Sequence, residues 1–191
     1  SVRTFTPWAG LEDYAMFLLA ASTGMRRSEI LGLRWRSIDW KAGVIHVTEN
    51  WKKVPDEPGM ITGDVKWGGK HATILMPRTR TVLRAQRAAS KFTDGHHFVF
   101  CGRDGLPRGE TWWRDHFQDA LGRAKIKAGE RKLVPHSLRH TVATMLTEAG
   151  IPDTLIDHYI GGWKNGRTRE GYVHAEAMAV DEISKALRSV F

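Results

Sequence analysis

The sequence predicts an α+β domain that is mostly α, with a small three-stranded antiparallel sheet among the helices. Three observations carry this. Apolar residues recur at helical spacing in several separated windows, whereas alternating, β-branched residues are confined to positions 44–77. At 191 residues the chain can bury a real core as one domain. Its 41% hydrophobic and 26% charged residues are ordinary for a globular protein.

The first helix is expected over Leu11 to Ser22, where Leu11, Tyr14, Ala15, Leu18 and Leu19 form an apolar stripe ended by Thr23-Gly24. A second helix should open near Arg27-Ser28-Glu29 and bury Ile30, Leu31 and Leu33. Arg26 then sits in a tight turn between two core helices, held at its backbone with its head free. Val44 to Thr48 reads as a strand. Asp64-Val65-Lys66, the Gly-Gly turn and Ala72 to Pro77 read as a strand, a hairpin and a strand that complete the sheet. Lys66 and Lys70 flank that turn.

Arg78 to Ser90 reads as a basic helix with Val82, Leu83 and Ala85 inward, and His97 to Cys101 as a short buried extended segment. Thr111 to Ala128 is a helix whose apolar members include Trp112, Trp113 and Phe117. Lys125 to Lys132 is strongly basic and could track a phosphate backbone or simply face solvent. Helices follow over His136 to Ala149 and Pro152 to Tyr159, then a Gly161-Gly162 break. Last comes an amphipathic helix, Glu176 to Val190, striped by Val180, Ile183, Leu187 and Val190.

Lysine plus arginine outnumber the acidic residues 29 to 21, a formal net charge of +8, which favours a polyanionic partner, nucleic acid first. Charge alone leaves a merely basic protein open. One cysteine, Cys101, excludes an internal disulfide and any multi-cysteine zinc site and fits a reduced, cytoplasmic setting. No apolar run reaches membrane-spanning length, so no membrane partner is expected. The opening SVRTFTPWAG has no signal-peptide core and reads as a chain entered in mid-protein.

The stretch Pro135-His136-Ser137-Leu138-Arg139-His140 brings chemistry to the start of a helix. Residues three apart share a face, so His136 and Arg139 can address one target. Unpaired N–H groups at a helix start favour an anion there. A plain helix start with two solvated bases is the competing reading.

Several stretches line up in order. Thr23-Gly24-Met25-Arg26-Arg27-Ser28-Glu29-Ile30-Leu31-Gly32-Leu33-Arg34-Trp35 resembles the first-arginine motif of the tyrosine recombinases, the phage integrase family. His136-Ser137-Leu138-Arg139-His140 resembles its His-x-x-Arg-His box. Gly162-Trp163, with Tyr172 nine residues on, is similar to its nucleophile segment, and the hairpin carrying Lys66 to its lysine hairpin. The resemblance spans roughly residues 11 to 190.

The resemblance implies a catalytic domain over residues 1–191, of the DNA breaking-rejoining type, with a separate N-terminal DNA-clamping domain absent from these residues. It implies Arg26 and Arg139 on the scissile phosphate, Lys66 as general acid, His136 assisting proton transfer, Trp163 in the His/Trp position and Tyr172 as nucleophile. Glu29 and His140 would brace the pocket. The implied partners are double-stranded DNA and, on DNA, further copies of the chain as a tetramer, with a monomer in isolation. No metal and no other cofactor is implied. Lys70 is the alternative to Lys66, and an alignment with Gly162 in the Trp163 position leaves that role empty. Of the other tyrosines, Tyr14 lies on a core stripe and Tyr159 in an apolar helix, so both read as core. Ser37 stands where the family often has Asp. Two other functions compete: a non-catalytic DNA-binding protein of the same fold, and a topoisomerase-like relaxing enzyme.

Overall fold

The computed structural model describes residues 9–53, 60–64, 71–126, 133–160 and 173–188. The elements run α1 (Ala9–Thr23), α2 (Arg27–Leu31), a 3-10 turn (Trp35–Ser37), β1 (Ile38–Asp39), β2 (Val44–Val47), β3 (Glu49–Lys53), β4 (Met60–Asp64), β5 (His71–Ile74), α3 (Pro77–Ala89), α4 (Glu110–Arg123), α5 (His136–Glu148), α6 (Asp153–Tyr159) and α7 (Val173–Arg188). The helices fall where the apolar periodicity put them. Among the described residues no helix is long and apolar enough to cross a membrane.

The three-stranded antiparallel sheet is present but its membership differs from expectation. Its order is β1-β2-β5, with Ile38 opposite Ile45 and Ile45 opposite Thr73. β4 pairs instead with β3 in a separate two-stranded ribbon, Trp51 opposite Thr62. The polar segment Glu49–Lys53 lacks the alternation that marks a half-buried strand, so it gave no strand signal. The turn at 65–70 lies outside the described residues.

Two apolar clusters hold the chain together. One gathers Met16 and Leu19 of α1, Ile30 and Leu31 of α2, Ile45 of β2, Leu83 of α3 and Trp113 of α4. The other gathers Val142 and Leu146 of α5, Ile156 and Tyr159 of α6, and Ile183 and Leu187 of α7. The core stripe of α1 continues into α4 through Phe17, whose ring meets Trp113 edge-on at 5.7 Å and Phe117 at 5.4 Å. Beside it the buried Asp13 carboxylate binds His116 Nδ1 at 2.7 Å and Arg123 Nη2 at 3.0 Å, so it is compensated.

Three core assignments change. Tyr14 is not core: it is 41% exposed, and its hydroxyl accepts a 2.8 Å hydrogen bond from Arg78 Nε. In α3 the buried positions are Thr79, Leu83 and Gln86, while Ala85 faces out. Thr79 goes inside because its hydroxyl meets Ser22 Oγ of α1 at 3.0 Å. The helix predicted to run to Ala128 ends at Arg123, where Lys125 takes φ 55°.

Tyr159 is core as expected, 4% exposed, and its hydroxyl donates to the Ser22 carbonyl at 2.8 Å. Burial pushes its phenol well above the ordinary range. Tyr159→Phe should therefore lower stability by about 1–2 kcal/mol through the unpaired buried carbonyl, measured by urea unfolding. A variant as stable as the parent would show that this bond contributes nothing.

Candidate active site

The site is built where α1 stops. Thr23 Oγ1 accepts the Met25 N–H at 3.2 Å while donating to the Leu19 carbonyl at 2.7 Å. Gly24 then turns the chain with φ +63°, a conformation that strains any side chain, and a Cβ there would lie 2.7 Å from Ile160 Cγ2. The turn delivers Arg26 to the cap position of α2, in extended backbone geometry.

Glu29 fixes Arg26 from two directions. One carboxylate oxygen accepts the Arg26 backbone N–H at 2.7 Å, the return half of a capping box. The other accepts Arg26 Nη1 at 2.9 Å. Glu29 is 1% exposed while the Arg26 side chain is 37% exposed. The buried partner thus anchors the arginine and the remaining guanidinium donors stay open.

Arg139 arrives from α5 and donates Nη1 to the Gly24 carbonyl. Burial works first against its protonated form, and the charge of Arg26 adds to this; Glu29 and Asp157 offset it. His136, one turn earlier, sits edge-on to His140 with ring centroids 4.8 Å apart. Its pKa is held below the ordinary 6.5, by burial first and then by the positive fields of His140, Arg139, Arg26 and Arg27. At neutral pH His136 is therefore an uncharged imidazole that can accept or donate through nitrogen. His140 is exposed beside it.

Arg26, His136 and Arg139 line one cleft of about 510 Å³, together with Arg27, Glu110 and Arg114. The expected anion donors at the backbone of α5 do not contribute as foreseen. The Ser137 and Leu138 N–H groups already bind the carbonyls of Val134 and Pro135, at 2.8 and 3.2 Å. What suits the cleft to an anion is its side chains: forked guanidinium donors that match phosphate oxygens, with the His136 imidazole in the same lining. Arg27 and Glu110 went unnoticed in the sequence. They are 83 residues apart and pair only in three dimensions.

Lys66, Trp163 and Tyr172 lie outside the described residues, as do Lys70 and Gly161-Gly162. Among the described residues one trio could approach a metal ion: Asp94, His96 and His97, with ligand atoms within 4.8 Å of one another. It does not line the cleft. His97 Nδ1 already accepts the Asp94 N–H at 3.2 Å, a bond that shapes the turn.

A cleft in which two arginines and a histidine converge from separate segments defines an oxyanion-gripping site on a mixed helical fold. The sequence profile of the phage integrase family matches residues 5–178, and the chain belongs to that family. It is 27% identical over 180 residues to the integrase of Salmonella phage P22, covering 90% of this chain and 41% of that protein. It is 29% identical over 181 residues to a XerC-like tyrosine recombinase of Caldanaerobacter subterraneus, covering 84% and 45%. A XerD tyrosine recombinase of Listeria monocytogenes is 26% identical over 185 residues, covering 97% and 57%. The chain thus spans 41–57% of the length of these relatives.

The fold has the same relations. A Tn1549 transposon integrase solved with circular intermediate DNA superposes with TM-score 0.69 at 20% identity, covering 87% of this chain and 59% of that one. The XerA recombinase superposes with TM-score 0.62 at 18% identity, covering 95% and 57%. The mostly helical fold with its small antiparallel sheet is that of these catalytic domains.

Two measurements check the site. Gly24→Ala should destabilise the domain by about 1–3 kcal/mol, the cost of a left-handed non-glycine residue, before the clash with Ile160 is added; unchanged urea unfolding would contradict the turn geometry. His136 should titrate below 6.5 by NMR, and Arg26→Gln should move its pKa upward by removing a positive neighbour. A His136 pKa at or above 6.5, or one indifferent to Arg26→Gln, would show that the two do not share a field.

Proposed function

We propose that this chain is the catalytic domain of a site-specific DNA recombinase that breaks and rejoins strands through Tyr172. The observation that carries the reading is the convergence of Arg26, His136 and Arg139 on one cleft. Family membership supports it, as do a relative named tyrosine recombinase and a structural neighbour solved with DNA.

The chemistry follows from the residue types. The arginines bind the non-bridging oxygens of a phosphodiester and stabilise the charge that builds as a fifth oxygen approaches. The Tyr172 hydroxyl attacks phosphorus, a phosphotyrosine bond to the 3′ end forms, and the bond to the 5′ oxygen breaks. Lys66 donates a proton to that leaving oxygen. His136, uncharged at neutral pH, assists in moving the Tyr172 proton. Trp163 orients the phosphate by packing and one indole N–H. A free 5′ hydroxyl from a second duplex then attacks the phosphotyrosine and reverses the step. The covalent link conserves the phosphodiester's energy, so joining draws on neither ATP nor metal. Two duplexes contribute four strands, which calls for four copies of the domain on DNA.

The test uses the full-length protein and a duplex site selected from a random-sequence pool, nicked so that the cleaved 5′ fragment diffuses away. A covalent protein–DNA adduct mapped to Tyr172, absent from Tyr172→Phe, is expected. Arg26→Gln and Arg139→Gln should each lower adduct formation by about 100-fold or more, the scale of removing a charge-stabilising donor. No adduct with the parent, or one that survives Tyr172→Phe, would overturn the reading. Relaxation of supercoiled DNA without sequence preference would redirect it to a topoisomerase-like enzyme.

A further inference from the structure

Beyond the two arginines assigned to the scissile phosphate, the same cleft holds a third, Arg27, whose partner is unsuited to DNA. Arg27 opens α2 immediately after Arg26, and it binds Glu110 in the first turn of α4, 83 residues away. Both line the cleft. Among the described lining residues Glu110 is the one carboxylate, facing Arg26, Arg27, Arg114 and Arg139. A carboxylate at the mouth of a phosphate-binding cleft repels the ligand unless something neutralises it.

We propose that Arg27 contacts a DNA phosphate next to the scissile one, and that Glu110 is its resting partner, displaced when DNA enters. The proposal rests on reading the cleft as a DNA-phosphate site. Three features make the exchange easy. The pair is solvent-exposed, with side chains 44% and 54% accessible, and exposed pairs are weak. A guanidinium fork matches two phosphate oxygens as well as it matches a carboxylate. Glu110 keeps a favourable position after release, because α4's N-terminal end attracts a negative charge. Glu110 thereby holds Arg27 extended over the cleft without DNA and weakens binding to any duplex that cannot compete for it.

The experiment is anisotropy binding to a mixed-sequence DNA duplex across a salt series, for this chain and its variants, with thermal melts to verify folding. Glu110→Gln should bind about two- to fivefold tighter, the range a weak exposed pair allows. Arg27→Gln should bind more weakly and flatten the logarithmic salt slope by about 0.9, one phosphate contact. Arg27→Lys should restore the slope but not the full affinity. In the Arg27→Gln background the gain from Glu110→Gln should shrink to that of Asp119→Asn, the effect of one negative charge less on α4. Asp119→Asn, which alters the same helix's charge at a position off the cleft, should not reproduce the gain.

A gain from Glu110→Gln that matches Asp119→Asn, or that persists undiminished without Arg27, overturns the exchange and leaves the cleft reading standing. An Arg27→Gln variant with parental affinity and slope does the same. If the parent shows no salt-dependent DNA binding, the cleft reading falls and this proposal falls with it.

Discussion

A helix that ends inside a protein exposes carbonyls it cannot satisfy itself, and the architecture here turns on how α1 meets that demand. Its last turn is capped by other elements. The Ser22 carbonyl accepts from Tyr159 of α6 at 2.8 Å, the Gly24 carbonyl accepts from Arg139 of α5, and the Thr23 hydroxyl bonds back to Leu19 at 2.7 Å. A cation at this end is also favoured by the helix dipole. Arg139 is thus a structural cap through one nitrogen while its side chain also lines the cleft. Satisfying the backbone of α1 and aiming the arginine at the cleft are one act.

The electrostatics of the cleft follow from the same geometry. Burial first, and then the field of the neighbouring Arg26 guanidinium, lower the affinity of Arg139 for its own proton. The buried Glu29 offsets part of this and fixes Arg26 at the same time. Burial, and after it the same positive surroundings, hold the pKa of His136 below the ordinary value. A phosphate entering would reverse that field. The Arg26 and Arg139 side chains are therefore held in place by the protein's own groups, the kind of prior organisation that electrostatic catalysis draws on.

Much of this could be read in the chain because short-range patterns encode it. Thr23-Gly24 marks a helix stop, and the three-residue offset from Arg26 to Glu29 is one capping-box turn. The same offset puts His136 and Arg139 on one helix face. What escaped is decided by partners distant in sequence. Tyr14 fits an apolar stripe by spacing, yet it turns outward to Arg78. Thr79 looks like a surface residue until Ser22 is placed against it. Glu49–Lys53 carries no strand signal of its own and gains order from pairing with Met60–Asp64. The link between Arg27 and Glu110 has no local signature, since no periodicity relates positions on two different helices. Lys66, Trp163 and Tyr172 come from family resemblance alone and lie outside the described residues.

The buried apolar lining of the cleft belongs to the first cluster: Ala20, Met25 and Trp113, with Leu138 of α5 packed against it. Arg26 belongs to the first body, built on α1, α2 and α4, while α5 packs Val142 and Leu146 into the second. α5 meets the first cluster near its own start, where Leu138 packs one residue before Arg139 reaches Gly24. Ile160 of the second cluster closes against Gly24 from the other side. Arg26 is fixed by Glu29 and Arg139 by the Gly24 carbonyl, so the placement of both arginines is referred to the one turn that ends α1. Gly24 tolerates no added methyl because Ile160 closes against it, 2.7 Å from where a Cβ would stand.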